Sequence, residues 1–143
     1  MLHHLSIGVA DIQASMRFYD VVLGTLGYVQ VWQDIGAEDD EDQAVGYGVA
    51  GGGDLFCLKQ QKTTQLAPGP GFHLAFAAPD HAAITAFYRA ALFNGGRCNG
   101  EPGPRPDYGD FYYAAFVIDP DGYRLEAVIN NPTAAVSCCA ADK

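Results

Sequence analysis

At two places along this chain, the spacing of hydrophobic residues changes from the two-residue period of a strand to the three-and-four spacing of a helix. Short apolar stretches at 4–9 and 72–77 show the two-residue alternation of strands, and each is followed by an aspartate, Asp11 or Asp80, suited to cap a helix. Apolar residues at three-and-four spacing then predict an amphipathic helix in each place. These positions are Ile12, Met16, Tyr19, Val22, Leu23 and Leu26 in the first helix, and Ile84, Phe87, Tyr88, Ala91 and Leu92 in the second.

The two stretches belong to an internal repeat. Shifting the chain by 69 residues gives 8 identities in the 24 positions from 4 to 27, including His4 on His73. A shift of 70 aligns Gly52 with Gly122 and Leu55 with Leu125 later in the unit. The chain therefore consists of two copies of one unit.

Further strands follow each helix. Gly27 and Gly96 stand where a chain leaving a helix needs a left-handed residue. Strands are predicted at 28–33, 43–49, 54–60, 112–118 and 124–129, with hairpin turns at 50–53 and 119–122. We expect an α+β fold in a single domain, residues 1–131, made of units 2–66 and 70–131, with a C-terminal tail at 132–143.

The alternation of side chains along the strands places three residues that can bind a metal on polar faces. His4 and His73 open equivalent strands on the face opposite their apolar neighbours, and Glu126 takes the same kind of position on the last strand. Two imidazoles and one carboxylate suit a divalent Fe, Mn, Ni, Co or Zn ion with coordination positions left open for substrate. His4, His73 and Glu126 are therefore the predicted metal ligands.

Charge narrows the choice of partners. The 143 residues carry a formal charge of −9, which repels the phosphates of nucleic acid and anionic membrane surfaces. No apolar run is long enough for a membrane span, and no secretory leader is recognisable. We expect a cytoplasmic protein whose partner is a small molecule.

Several of these segments resemble the vicinal oxygen chelate superfamily, which includes glyoxalases, bleomycin resistance proteins and extradiol dioxygenases. The resemblance rests on residues 4–11, Phe18-Tyr19, residues 72–76 and the terminal motif at 119–126. It implies paired βαβββ units, a U-shaped mixed sheet around a metal, and substrates that chelate through adjacent oxygens. It also implies a homodimer, with each site formed within one chain or shared between two.

One position departs from the family pattern. Glyoxalase I typically has a fourth ligand on the last strand of the first unit, where the Gly52–Gly122 alignment puts Phe56. Cys57 is expected to be a small buried residue that could reach the polar face only through a bulge. Phe56 is therefore assigned to the substrate pocket.

Other residues are candidates for substrate binding or proton transfer. Glu126 could leave the metal and act as a base, and Tyr113 is assigned as a proton relay. Residues assigned to substrate binding are Trp32, Arg105, Tyr108 and Tyr112. On the strand 112–118, one of the two adjacent tyrosines must face the site.

These features predict a metal-dependent glyoxalase-like enzyme of the lyase or isomerase class. Its substrate would be a small carbonyl compound or a thiol adduct of one, bound through adjacent oxygens. Three metal ligands rather than four would equally suit an extradiol-type dioxygenase or a thiol transferase. A metal-free binding protein of the bleomycin-resistance type is the alternative outside catalysis.

Overall fold

The structure is a computed structural model that describes residues 1–36 and 42–132. The first unit contains β1 (Leu5–Val9), α1 (Ile12–Gly24), β2 (Val29–Asp34), β3 (Ala44–Gly48) and β4 (Phe56–Gln60). The second contains β5 (Leu74–Ala77), α2 (His81–Phe93), β6 (Arg97–Pro104), β7 (Tyr112–Ile118) and β8 (Arg124–Asn130). The α+β class and the tandem βαβββ units are confirmed. The predicted tail, apart from Pro132, lies outside the described residues.

The strands form two four-stranded sheets of equivalent topology. Sheet A has the order β1-β4-β3-β2, and sheet B has the order β5-β8-β7-β6. In each, the first strand runs parallel to the last, and the other neighbours are antiparallel. The first strand of each unit therefore lies at a sheet edge, paired only with the last strand of its own unit.

Both helices begin as the sequence predicts. The Asp11 carboxylate accepts the Ala14 N–H at 3.0 Å, and the Asp80 carboxylate accepts the Ala83 N–H at 2.7 Å. These bonds satisfy amide groups that a helix start leaves without a partner. At the other end, Gly27 has the predicted positive φ of 91°, but in the second unit Gly95 takes this conformation (φ 95°) instead of Gly96. A Cβ at Gly96 would lie 2.8 Å from the Ala91 carbonyl oxygen, so close packing requires a residue without a side chain at this position.

One apolar core joins the two units. It is built from the helices and from the sheet faces that the helices cover. Its fully buried members include Val9, Phe18, Val22, Ile84, Phe87, Val117 and Leu125. Among the described residues, no helix is long and apolar enough to cross a membrane.

Hydrogen bonds at the turn between β7 and β8 connect the second unit to the first. The Asp119 carboxylate accepts the backbone N–H groups of Asp121 (3.0 Å) and Tyr123 (2.8 Å), which closes the turn. Its other oxygen accepts the hydroxyl of Tyr19 from α1 at 2.5 Å. The Tyr123 hydroxyl donates to the Gly8 carbonyl at 2.7 Å. Polar bonds between the units thus converge on this predicted turn.

The buried Asp119 predicts a specific pH dependence of stability. Burial raises the pKa of Asp119 from 3.8 to about 6, so the unfolded chain loses this proton at lower pH than the folded protein does. Its contribution to stability is therefore present below pH 4 and is lost as pH rises to about 6. This rise in the pKa corresponds to a change of at most about 3 kcal/mol in the free energy of unfolding.

Asp119→Asn removes this titration. The free energy of unfolding of the wild type, minus that of the variant, should fall between pH 4 and pH 7 when both are measured by urea denaturation. The exposed Asp110→Asn is the matched control and should show no such trend. A wild-type minus Asp119→Asn difference that is equal at the two pH values would contradict the assignment.

Candidate functional site

Each sheet has a face turned away from the helices, which we call its ligand face. On sheet B this face carries His73, and the parallel register of β5 and β8 places Ala75 directly beside Glu126. Nε2 of His73 lies 3.0 Å from Oε2 of Glu126. The imidazole is about half exposed, whereas the carboxylate is almost fully buried. The small side chain of Ala75 leaves room for the two to meet across it.

Tyr112 completes this cluster. Its hydroxyl donates a short hydrogen bond to Oε1 of Glu126, so each carboxylate oxygen has a different partner. Burial, followed by the bond to Glu126, raises the pKa of Tyr112 to about 12. The hydroxyl therefore remains a proton donor across the physiological range.

Tyr113 does not lie in this site, which corrects its assignment as a proton relay. Its ring stacks on His81 of α2 with centroids 3.8 Å apart, on the helix side of sheet B. The register of β7 with β8 pairs Phe116 with Glu126, so Tyr112, Ala114 and Phe116 share the ligand face. Sequence phase required one of the two tyrosines to face the site, and the structure selects Tyr112.

Arg105 and Tyr108 flank the cluster. The Arg105 guanidinium lies over the Phe116 ring, 5.4 Å from its centroid, and donates to the Glu101 carbonyl at 2.6 Å. Phe116 is the register partner of Glu126, so this cation lies on the same face of sheet B, over the strand next to that of the carboxylate. Tyr108 packs edge-on against Tyr112 at 5.3 Å. Both residues thus border the ligand face of sheet B, and their role in substrate binding stays a prediction.

The ligand face of sheet A carries His4. Nδ1 of His4 lies 2.8 Å from Nδ1 of His3, so the neighbouring ring occupies one imidazole nitrogen and leaves Nε2. His3 is out of phase with His4 in the alternation of the strand, but their contact is made before β1 begins at Leu5, where that alternation does not apply.

Phe56 does not occupy the position equivalent to Glu126, which corrects the alignment of the second half of the units. β1 pairs Ser6 with Cys57, in the same way that β5 pairs Ala75 with Glu126. Cys57 is therefore the equivalent of Glu126, at the same offset of 69 residues that relates His4 to His73. The register of β4 with both neighbours is continuous, so Cys57 reaches the ligand face without a bulge.

Phe56 instead faces the core side. Its ring packs against Tyr19 (5.2 Å) and Phe76 (5.4 Å) between centroids. It also lines an apolar groove of about 250 Å³ between the edges of the two sheets, together with Leu5, Leu74 and other apolar residues. Matching Gly52 with Gly122 misplaced this strand because the two hairpin turns differ in length by one residue.

Cys57 and Asp54 form a second polar cluster beside His4. The Cys57 thiol donates to Oδ2 of Asp54 at 2.8 Å. Burial, then this bond, raises the pKa of Cys57 to about 11, so the thiol keeps its proton. The hydrogen bond from Cys57 lowers the pKa of Asp54, with smaller effects from His4 and the Trp32 indole. Sequence reasoning missed Asp54 because it was placed in the predicted strand 54–60, whereas β4 begins at Phe56 and Asp54 contacts Cys57 from the preceding loop.

Trp32 covers the centre of the ligand face of sheet A. It is paired with Gly46, whose missing side chain provides the space for the indole, since a Cβ there would lie 2.3 Å from Nε1. Gly46 is in turn paired with Cys57. Trp32 therefore lies on the face that carries His4 and Cys57, as expected for a residue of the site.

The two halves of the site remain separate within one chain. Within 1–36 and 42–132, no three His, Cys, Asp or Glu side chains come close enough together to hold a metal ion. His73 and Glu126 belong to sheet B, while His4 belongs to sheet A, and the two sheets share no hydrogen-bonded strand pair. The structure thus brings two of the three predicted ligands together.

Comparisons with known proteins agree with this architecture. The chain matches the family model of the Glyoxalase/Bleomycin resistance protein/Dioxygenase superfamily over residues 1–127. It therefore belongs to that superfamily.

Individual relatives carry glyoxalase names. A probable lactoylglutathione lyase of Vibrio parahaemolyticus is 31% identical over 92% of this chain and 92% of its own length. A probable chloroplastic lactoylglutathione lyase of Arabidopsis thaliana is 29% identical over 94% of this chain, which spans 37% of that longer protein. The crystal structure of a glyoxalase/bleomycin resistance protein from Albidiferax ferrireducens superposes with a TM-score of 0.70 at 32% identity, covering 90% of this chain and 97% of that one.

The contact between Tyr112 and Glu126 can be tested by removing one hydroxyl. Tyr112→Phe leaves Oε1 of the buried Glu126 without its donor, and such a loss costs about 1–3 kcal/mol of stability at pH 7. Tyr113→Phe is the matched control, because it removes a hydroxyl from the adjacent residue and leaves the ring stacked on His81. Denaturant unfolding of both variants is the measurement. Equal losses would show that the hydroxyl of Tyr112 has no special partner.

Proposed function

We propose that this protein is a divalent-metal-dependent lyase of the glyoxalase type, acting on a small carbonyl compound as its thiol adduct. The observation that carries the proposal is the pairing of His73 with the buried Glu126 on the ligand face of sheet B. The named relatives support the same class. Imidazole and carboxylate donors fit Fe, Mn, Ni, Co or Zn, and His4 would complete a set of three.

The reaction requires a proton to move between two adjacent carbons. In a hemithioacetal, the proton leaves the carbon that bears the hydroxyl and the sulfur, and a proton is returned to the neighbouring carbonyl carbon. The product is a thioester of a hydroxy acid, with no net oxidation. A bound divalent ion would act as a Lewis acid on the two substrate oxygens.

The residues of this chain would supply positioning and proton transfer. Glu126 is the carboxylate at hand to accept the proton, and Tyr112 holds its Oε1 so that Oε2 is directed to the His73 side. Arg105 provides a positive charge next to the site in a chain whose net charge is −9, which suits a substrate that carries a carboxylate. Glutathione adducts have this chemistry.

We further propose that the complete site forms between two chains. In such a homodimer, His4 of one chain would face His73 and Glu126 of its partner, since the three do not meet within one chain. The edge strands β1 and β5 and the apolar groove between them would then lie at or near the interface.

Metal binding tests the first proposal. His73→Ala should weaken Ni²⁺ or Mn²⁺ affinity at least about tenfold, as even indirect partners of metal sites do when removed. His81→Ala is the matched control because His81 lies on the helix side of sheet B against Tyr113. Isothermal titration of the metal-free protein gives the affinities. The hemithioacetal of methylglyoxal and glutathione is the substrate to assay on the metal-loaded wild type.

The outcomes separate the candidate functions. Metal binding without turnover of the hemithioacetal, but with oxygen uptake on catechols, would replace the lyase with a dioxygenase. No divalent-metal binding by the wild type would rule out both and leave a metal-free binding protein.

Mixing two inactive variants tests the shared site. His4→Ala and His73→Ala chains each lack one ligand in every site, but a mixed dimer would contain one intact site and one doubly altered site. Random reassociation of equal amounts should restore about a quarter of the wild-type metal sites and activity. If each site lies within one chain, mixing restores none.

A further inference from the structure

We propose that Asp54 supplies the fourth metal-binding position of this site, a carboxylate delivered by the loop before β4 because the strand itself carries Cys57 there. This inference rests on the proposed function, since it concerns the same metal site. It goes beyond that function by assigning a residue that neither the spacing of the repeat nor the comparisons indicate.

The internal repeat gives the first argument. The two units place equivalent residues on their ligand faces, with His4 equivalent to His73 and Cys57 equivalent to Glu126. The second unit thus pairs a histidine with a carboxylate on adjacent strands. The first unit has the histidine but a thiol in place of the carboxylate, so its half of the site lacks an anionic oxygen from the strand.

The position of Asp54 gives the second argument. Oδ2 of Asp54 lies 2.8 Å from Sγ of Cys57. In a glutamate side chain, each carboxylate oxygen lies two bonds beyond Cγ, or roughly 2.4 Å from it. Sγ occupies the place of that Cγ, so Oδ2 of Asp54 lies nearly as far from Sγ as a carboxylate oxygen of a glutamate at position 57 would lie from its Cγ.

The surroundings of Asp54 give the third argument. The thiol of Cys57, which is 2% exposed, donates a hydrogen bond to Asp54. Trp32 and His4 lie within electrostatic range of the same carboxylate. The aspartate is only partly buried. Oxygen and imidazole donors thus face the same side of sheet A.

The assignment also changes the role available to Glu126. With Asp54 and His4 from one half of the site and His73 and Glu126 from the other, an ion would have two donors from each sheet. A set of three protein ligands without Glu126 would still hold a divalent ion while Glu126 moves a proton. The mechanism proposed above then needs no ligand to serve two purposes at once.

Metal affinity tests this assignment without reference to turnover. Asp54→Asn keeps the size of the side chain and its ability to accept from Cys57, but removes the charge. We expect it to weaken Ni²⁺ binding at least about tenfold by isothermal titration. Asp34→Asn, an exposed aspartate on β2 of the same sheet, is the matched control and should bind as the wild type does.

A rescue variant and a spectroscopic readout keep the test independent of folding. Asp54→Asn combined with Cys57→Glu puts the carboxylate back on the strand and should recover most of the lost affinity. Trp32 is the only tryptophan of the chain, so quenching of its fluorescence by Ni²⁺ reports binding next to Asp54. Quenching should require higher Ni²⁺ concentrations in Asp54→Asn than in the control.

The failures can be told apart. If Asp54→Asn binds Ni²⁺ as tightly as the wild type while His73→Ala loses affinity, the assignment of Asp54 is overturned and the proposed metal site stands. If neither His4→Ala nor His73→Ala changes Ni²⁺ affinity, the proposed metal site is wrong, and the assignment of Asp54 is overturned with it.

Discussion

Burial of the Glu126 carboxylate is the constraint on which the site depends. An ionised carboxylate at 1% exposure is costly unless both oxygens find partners. The partners come from two different strands, Tyr112 on β7 and His73 before β5, and each can reach only in one register. The parallel pairing of β5 with β8 and the antiparallel pairing of β7 with β8 therefore both serve to satisfy one side chain. A shift of one residue in either pairing would turn these groups to the opposite face.

Much of this arrangement can be predicted from sequence, because strand phase and the repeat carry independent information. The period of two places His4, His73 and Glu126 opposite the apolar residues, and the 69-residue offset relates the two halves. The aspartate caps of the helices and the turn at 119–122 depend on local sequence, and they form as predicted. β6 is different: its sequence, Arg97–Pro104, is rich in glycine and proline, and its register with β7 shifts twice. No alternation marks such a strand.

The predictions were wrong where an insertion in the chain or a neighbouring element determines which face of a sheet a side chain occupies. Cys57 and Phe56 exchange faces if one residue of slippage is placed before β4, and a glycine match in a turn is weak evidence for that slippage. Tyr112 and Tyr113 are equivalent by sequence, and the register of β7 with β8 puts Tyr113 on the helix side, where it stacks on His81 of α2. Asp54 acts through a contact with the thiol three residues later, which no periodic pattern describes.

The pairing of Trp32 with Gly46 has a counterpart in sheet B, where Phe116 lies on the strand equivalent to that of Gly46 and Gly100 lies across from it on the edge strand. In both halves one aromatic ring covers a facing glycine, but the ring comes from the edge strand in one half and from the inner strand in the other. The two units thus share the combination of one aromatic ring with one glycine at this point, and not the position of each on its strand. Two aromatic rings at these paired positions would collide, and two glycines would leave a cavity. Exchange between the two arrangements during evolution therefore requires substitutions at both positions. This coupling is a case of epistasis that follows from the fixed distance between neighbouring strands.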